Sequence, residues 1–241
     1  MFIQIPKVTK MPEKISLKIF KDDFTEGINF IKSKKLLLYI IILAPILNFV
    51  FSPLSSIGLT YVTKNIFKVS DFQYGIMQMI IVASMLLSPF ITSKLAKKYS
   101  LGKIIFFDVF ISSLLIVIMA IVPSPFYMSL FSDNFIPYVS ITILFFLICM
   151  IITTTNIAAS TMFQMIVPIH MMGRVSTVMN TCCMAIAPLG LVLFGVLFDT
   201  ISAWICILIS ALILFTTILI FKKLLCCNDD NETSTFDFSI D

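Results

Sequence analysis

Six apolar stretches, each about as long as a bilayer is thick, alternate with short polar segments along this chain. They cover residues 36–62, 72–95, 104–122, 137–160, 175–198 and 202–221. A helix needs roughly 20 apolar residues to cross the hydrocarbon core of a membrane. The pattern therefore predicts an all-α integral membrane protein with six transmembrane helices.

The segments that flank these stretches are polar. Within residues 1–35, apolar side chains recur at helical spacing from Leu17 to Ile31, with lysines and acids between them. This spacing predicts an amphipathic helix that lies either on a membrane surface or against a partner. Residues 223–241 are acidic and lack an apolar core, so we expect a disordered tail in the cytosol. No apolar segment of the signal-peptide kind precedes the first stretch, so no cleavable leader is predicted.

Composition supports the membrane assignment and argues against most other classes of protein. Only 12% of the 241 residues are charged, about half the usual share in soluble domains. The six cysteines form no Cys-x-x-Cys pair and there is a single histidine, which argues against a metal site or a disulfide framework. No nucleotide-binding loop or serine elbow is present. We therefore expect no enzyme activity, no cofactor and no nucleic-acid partner; the bilayer is the expected environment.

Basic residues are distributed unevenly between the two sides of the predicted helices. If the N-terminus is cytoplasmic, fifteen of the 17 lysines and arginines fall inside, and only Lys64 and Lys68 fall outside. The positive-inside rule therefore predicts that both termini are cytoplasmic. We expect a multi-pass protein of the plasma membrane.

Uncharged polar residues concentrate in the first and fourth predicted helices. The first contains Asn48 and Ser52, and the fourth contains Thr153 and Asn156. These four are candidates for lining a substrate cavity, with Asn48 and Asn156 foremost. The alternative is that they hold helices together by hydrogen bonds, as polar groups in membranes commonly do. The third and sixth predicted helices lack proline and have few polar residues, so they are expected to face lipid.

Charged and helix-breaking residues provide further candidates. Arg174, the only arginine, precedes an apolar run that contains Pro188 and Gly190. All three are candidates for a gate or a structural kink; Arg174 is also a candidate to pair with an acid or to bind lipid phosphate. Asp108 is the only acid within a predicted transmembrane helix and lies five residues after Lys103. It is interpreted as a boundary or structural residue, or alternatively as a proton carrier.

Three segments of the chain carry a family resemblance. They read DFTEGINFIKSKKLLLYIIIL from Asp23, GIMQMIIVASMLLSPFITSKLAKKYSLGK from Gly75, and VPIHMMGRVSTVMNTCCMAIAPLGLVLFGVLFD from Val167. They resemble the C-terminal half of macrolide-efflux-like exporters of the major facilitator superfamily. The matching parts are the linker into the seventh span, the basic loop between the eighth and ninth spans, and the segment joining the tenth and eleventh.

The chain also departs from the pattern of that family. Ile169 and His170 stand where acidic residues are usual in that family, and neither supplies the acidic partner of the charge pairing expected there. Ser88 and Lys97 replace a glycine and an acidic position in the basic loop. Most importantly, these exporters have about twelve spans in two halves, with substrate bound between the halves, whereas this chain has six.

The resemblance implies one half bundle of the major facilitator type, preceded by a cytoplasmic amphipathic helix. It implies a secondary active antiporter, coupled to protons, that exports a small amphiphilic or cationic compound by alternating access. The first and fourth helices would line the cavity. We expect a truncated protein whose missing N-terminal half is a separate chain, or which pairs with a second copy as a homodimer. If export is driven by protons, the proton-binding acid is expected in the missing half. The alternative is a non-transporting remnant or assembly partner.

Overall fold

The computed structural model describes residues 17–227, with side chains for residues 23–222, and this part of the chain is helical without β-strands. The helices are α1 (Leu17–Ser33), α2 (Lys35–Pro53), α3 (Leu59–Tyr61), α4 (Asp71–Ala96), α5 (Leu101–Ile121), α6 (Pro125–Ser129), α7 (Phe135–Ile166), α8 (Met172–Thr200) and α9 (Ala203–Cys227). Two π-helical turns, Leu54–Gly58 and Val62–Ile66, join α2 and α3 into one continuous helix that ends at Ile66.

Six helices of the described chain are long and apolar enough to cross a membrane. They are Lys35–Ile66, α4, α5, α7, α8 and the Ala203–Lys222 part of α9. This confirms the prediction of an all-helical, multi-pass membrane protein. Helix α7 continues past residue 160 because Met162 and Phe163 are buried in the core, and α9 continues to Cys227. The remainder of the predicted tail, like residues 1–16, lies outside the described residues.

The main contacts link the six long helices in the order α4, α7, α5, α9, α2 and α8. Helix α5 lies between α7 and α9, while α2 packs mainly against α8 and α4 packs mainly against α7. Polar groups help to set the register of α4 on α7: the Ser88 hydroxyl donates a 2.9 Å hydrogen bond to the carbonyl of Met150, and the Tyr138 hydroxyl donates one of 2.9 Å to the carbonyl of Gln73. Ser88, which stands where the resembling family has glycine, therefore contributes an interhelical hydrogen bond of the kind common in membranes.

Helix α5 is more buried than the sequence predicted. In the apolar stretch of α5, the third membrane-length helix, 56% of the residues are buried, more than in any other of the six. Its exposed large side chains form a single stripe at helical spacing: Phe107, Ile111, Leu114, Ile118 and Ile121. The expectation that this helix faces lipid therefore holds for one stripe alone, because α7 and α9 cover the rest.

Pro53 lies where α2 meets α8. Pro53 has no N–H group, so the carbonyl of Phe49, four residues earlier, loses its helical donor. Helix α8 crosses α2 at this carbonyl: a Cβ atom added to Gly190 would lie 2.5 Å from the Phe49 oxygen. The close approach of the two backbones therefore depends on glycine, as is common where membrane helices pack closely.

Helix α1 packs its apolar stripe against its own chain. Ile31 is buried, and Phe24 and Ile28 join a cluster of apolar side chains that includes residues of α2 and α8. Gly27 allows the contact, because a Cβ there would lie 3.1 Å from both the Arg174 carbonyl oxygen and a methyl carbon of Val178. The predicted amphipathic helix is present, but its stripe docks on α8, which neither the membrane-surface nor the partner interpretation anticipated.

Candidate functional site

A small cavity with a mostly apolar lining lies between α2, α5, α7 and α9. Its volume is about 70 Å³, and its polar lining consists of Asn48, Ser112, Thr155 and Asn156. A second cavity of about 40 Å³ adjoins it and shares Asn48, Thr155 and Asn156. The structure therefore brings together the two asparagines that the sequence singled out, one from the first and one from the fourth membrane-length helix.

The two asparagines lie at the exposed mouth of the cavity. Both side chains are exposed. The Asn48 amide nitrogen donates a 2.9 Å hydrogen bond to the carbonyl of Ala44 in its own helix. That bond leaves the amide oxygen of Asn48 for another partner, and the Asn156 side chain makes no hydrogen bond to another described residue. The mouth therefore presents amide groups with unused donors and acceptors.

Ser52 and Thr153 do not line either cavity. Ser52 lies one turn beyond Asn48 on α2, where its carbonyl accepts hydrogen bonds from the hydroxyls of Ser55 and Ser56. Thr153 lies one turn before Asn156 on α7 and donates to the carbonyl of Cys149. Because α2 and α7 run in opposite directions, both residues lie one turn toward the same end of the bundle. They extend the polar strip without entering the cavity.

A buried acid lies next to two residues that line the cavity, Val109 and Thr155. Asp108 on α5 is only 8% exposed, so it lies inside the bundle rather than at a solvated helix end. The Thr155 hydroxyl donates to Asp108 Oδ2 over 3.4 Å and also to the Ile151 carbonyl over 3.2 Å. Both distances are long for a hydroxyl donor, whose usual separation is about 2.7–2.8 Å. The carboxyl group is therefore weakly bonded in this arrangement.

Ser112 and Thr155 were not identified as site residues from the sequence. Ser112 is 2% exposed, and its hydroxyl has no hydrogen-bond partner among the described residues. Ser112 lies four residues after Asp108, and residues at this spacing share one helix face with Cβ atoms about 5–6 Å apart. That spacing was the available signal for Ser112. The contact of Thr155 with Asp108 joins two helices and needed the tertiary structure.

Arg174 forms a second polar cluster at the start of α8. Its Nε lies 2.9 Å from Asp23 Oδ1, and its Nη1 lies 2.6 Å from Glu26 Oε2. Both acids belong to α1, so the arginine ties this helix to α8 beside the Gly27 contact. His170 and Gly173 line the same open depression of about 310 Å³. Of the interpretations proposed for Arg174, pairing with an acid is the one seen in the structure.

Pro188 and Gly190 lie within α8 and line neither cavity. Pro188 is inside the helix, and Gly190 is buried against Phe49 and Pro53 of α2. The pair therefore has a structural position at the α2–α8 crossing. Any gating role for these residues remains a prediction.

The described residues hold no group of three histidine, cysteine, aspartate or glutamate side chains that would bind a metal ion. The four cysteines with described side chains are free thiols; Cys149 and Cys206 are buried, and Cys182 and Cys183 are partly buried. No family model matches this chain, and no curated protein matches it. The site is therefore interpreted from its own residues.

Proposed function

We propose that this chain is the C-terminal six-helix half of a secondary active exporter of the major facilitator type. The observation that carries the proposal is the pair of exposed asparagines at the mouth of a cavity between the first and fourth membrane-length helices. Polar residues at membrane depth that face a cavity are functional candidates. The resemblance of three sequence segments to such exporters supports the same function.

The irregular first helix adds support. It contains Pro45 and Pro53 and is then interrupted by two π-helical turns. π-Helical turns are frequent at functional sites, and broken helices border the substrate sites of many transporters. A helix with these interruptions has carbonyl groups released from regular bonding and can change its bend during a transport cycle.

The size of the cavity argues for a second half. At about 70 Å³, it is far below the roughly 300–1,000 Å³ of a site for a drug-sized compound. The asparagines are exposed, so the space in front of them is open in this chain. A second six-helix unit opposite α2 and α7 would close that space into a substrate site, with this chain forming one wall.

Helices α4 and α8 offer the surfaces on which the second unit would pack. Only 28% of the apolar stretch of α4 and 17% of that of α8 are buried. Helix α4 packs on α7 and α8 packs on α2, so these two exposed helices flank the cavity mouth. On each of them, the exposed apolar side chains recur along the helix: Met79, Val82, Leu86 and Phe90 on α4, and Met184, Leu189, Val192 and Val196 on α8.

In this proposal the protein lies in the plasma membrane with both termini in the cytoplasm. The second unit is a separate N-terminal half or a second copy of this chain. Export by alternating access is driven by protons, and the substrate is a small amphiphilic or cationic compound. An amide-lined mouth with no basic side chain in its lining suits an uncharged or cationic compound better than an anion.

Energised efflux of a fluorescent cationic dye tests the proposal. Cells would express the chain alone, or together with a six-span partner encoded beside it. Asn48→Leu and Asn156→Leu should abolish export and leave the amount of folded protein unchanged. Thr216→Val is the matched control, because Thr216 is an exposed polar residue on α9 whose hydroxyl bonds to its own helix. Export only with the partner indicates a split transporter, and export by the chain alone indicates a homodimer.

Failure to export the dye or a panel of macrolides in either setting would contradict the proposal for these compounds. It would favour a non-transporting membrane protein whose helices serve assembly. Loss of export in Thr216→Val equal to that of the asparagine variants would also count against the proposal, because it would show that the effect has no relation to the cavity.

A further inference from the structure

We propose that Asp108 binds and releases a proton through the adjacent cavity, so that the proton-carrying acid belongs to this half of the bundle. The use of this proton to drive export rests on the proposed function, whereas the binding and release of the proton do not. Three features support the proposal: the burial of the carboxyl group, the absence of an ion pair to it among the described residues, and the unpartnered hydroxyl of Ser112, which lines the cavity one turn from the acid.

Asp108 lies within the membrane-spanning part of α5. It follows Ile104, where the apolar stretch begins, by four residues, which is about 6 Å along the helix axis, in a helix that crosses a hydrocarbon layer about 30 Å thick. Isolated charges at such depth are costly, and acids found there are commonly parts of proton pathways. A neutral, protonated carboxyl avoids this cost, so a proton is the simplest partner for the group.

No basic side chain among the described residues forms an ion pair with the acid. The one side-chain hydrogen bond of Asp108 to these residues comes from the hydroxyl of Thr155. The charged and titratable side chains with described positions on the helices around α5 are Lys35 and Tyr39 on α2, Asp71, Tyr74 and Lys94 on α4, Tyr138 and Cys149 on α7, and Cys206 and Lys222 on α9. None of these side chains forms a hydrogen bond or an ion pair with Asp108; on α5 itself, Lys103 lies five residues before Asp108 in the sequence.

A path leads from the acid to the cavity mouth. Ser112 lines the cavity one turn from Asp108, and its hydroxyl has no protein partner. The cavity of about 70 Å³ has room for about two waters, each of which occupies about 30 Å³ in the liquid. Water bonded to Ser112 would connect Asp108 to the exposed amides of Asn48 and Asn156. The unpartnered hydroxyl is then explained by the solvent that it binds.

Proton release is a transfer between two oxygens. The O–H bond of the Asp108 carboxyl breaks as an O–H bond forms on a cavity water, giving a carboxylate and a hydronium ion with no change in total charge. The Thr155 hydroxyl donates to the carboxylate that remains. Uptake reverses the step. Ser112 and Thr155 are positioning residues in this scheme: one holds the water and the other orients the carboxyl group.

A proton fits this site better than a sodium ion. Cations held by oxygen atoms in proteins generally require about six ligands or more. The protein oxygens that the structure places near the acid are its own carboxylate and the hydroxyls of Thr155 and Ser112, and Thr155 also donates to the Ile151 carbonyl. A proton requires only one acceptor oxygen.

Labelling with dicyclohexylcarbodiimide tests the proposal on the full chain in membranes. This apolar reagent adds the O–H of a protonated carboxyl across its N=C=N unit and leaves a stable adduct that is identified by mass spectrometry. The expected result is an adduct on Asp108 in mildly acidic buffer. The labelling should fall as the pH rises. Once most of the carboxyl is deprotonated, its protonated fraction, and with it the labelling, should fall by about tenfold per pH unit. Asp71, an exposed acid paired with Lys64, is the internal reference and should stay unlabelled at neutral pH.

Two labelling results would overturn the proposal. Labelling of Asp108 that is absent, or that stays constant across the pH series, means that the acid does not exchange a proton under these conditions. Protection of Asp108 by sodium ions, compared with an equal concentration of choline, would assign the site to sodium instead. The labelling experiment does not require transport. A chain that fails to export the dye can therefore still show pH-dependent labelling of Asp108, so the two proposals can fail separately.

The role of Ser112 is tested by hydrogen–deuterium exchange of the carboxyl group. The C=O stretch of a protonated carboxylic acid shifts in the infrared when deuterium replaces its proton, and Asp108→Asn identifies the band. Ser112→Ala should slow this exchange severalfold. Ser113→Ala is the matched control, because that hydroxyl is already bonded to the Phe110 carbonyl in its own helix. Equal exchange rates in Ser112→Ala and the unmodified protein would refute the proposed path.

Discussion

Replacing Gly190 with alanine places a methyl group at the closest backbone approach in the α2–α8 interface. The new carbon would lie 2.5 Å from the carbonyl oxygen of Phe49 and 3.1 Å from a ring carbon of Pro53. A carbon normally keeps about 3.3–3.6 Å from a carbonyl oxygen, even in a favourable C–H···O contact. The two helices must therefore move apart by roughly 1 Å, since neither a backbone carbonyl nor a proline ring can rotate away.

The magnitude follows from two opposing effects. Overpacking in a well-packed interface costs about 1–3 kcal/mol. In the opposite direction, alanine stabilises a helix interior by up to about 1 kcal/mol relative to glycine. Gly195→Ala is the matched control on the same helix, because its nearest neighbour would be a methyl group of Ile57 at 3.9 Å. The difference between the two variants removes the propensity effect, so we expect Gly190→Ala to be less stable than Gly195→Ala by about 1–3 kcal/mol.

The free energy of unfolding would be measured by titrating the purified chain with a denaturing detergent in mixed micelles. The chain has a single tryptophan, Trp204 near the start of α9, whose fluorescence reports on the bundle, and far-ultraviolet circular dichroism provides a second probe. Equal unfolding midpoints for the two alanine variants would refute the argument that this crossing depends on glycine. A lower midpoint for Gly195→Ala than for Gly190→Ala would refute it more strongly.

The remaining predictions concern α1, a helix cap and the membrane orientation. Arg174→Gln should increase hydrogen exchange of α1 severalfold, because each lost ion pair is half-exposed and contributes about 0.2–1 kcal/mol; unchanged exchange would show that apolar contacts alone hold α1. Ser70→Ala should lower stability by about 1 kcal/mol, because Ser70 caps α4 and pairs reciprocally with Gln73, whereas Ser100→Ala should cost less since Ser100 makes no capping bond. A cysteine at Lys68 should react with an impermeant thiol reagent from outside intact cells, and one at Lys98 only after lysis; the reverse pattern would invert the orientation.

Several features could be predicted from the order of residues alone. The six membrane-length helices follow from local hydropathy, because an uninterrupted run of about 20 apolar residues has few alternatives to spanning a bilayer. The amphipathic character of α1 follows from its spacing of apolar residues. Asn48 and Asn156 were identifiable as candidates because polar side chains stand out in apolar helices, and this signal requires no knowledge of which helices are neighbours.

Other features depend on which helices meet and were decided only by the tertiary structure. Asn48 and Asn156 line one cavity because α2 and α7 are brought together with α5. Asp108 is buried within the bundle because α5 is covered by α7 and α9, although its place near the start of an apolar run suggested a helix boundary. Two further contacts join distant parts of the chain: α1 packs on α8, and Gly190 packs against the Phe49 carbonyl. Hydropathy along a sequence measures how each residue partitions into a membrane, whereas these contacts depend on the shapes of facing helices, which become defined only when the bundle is packed.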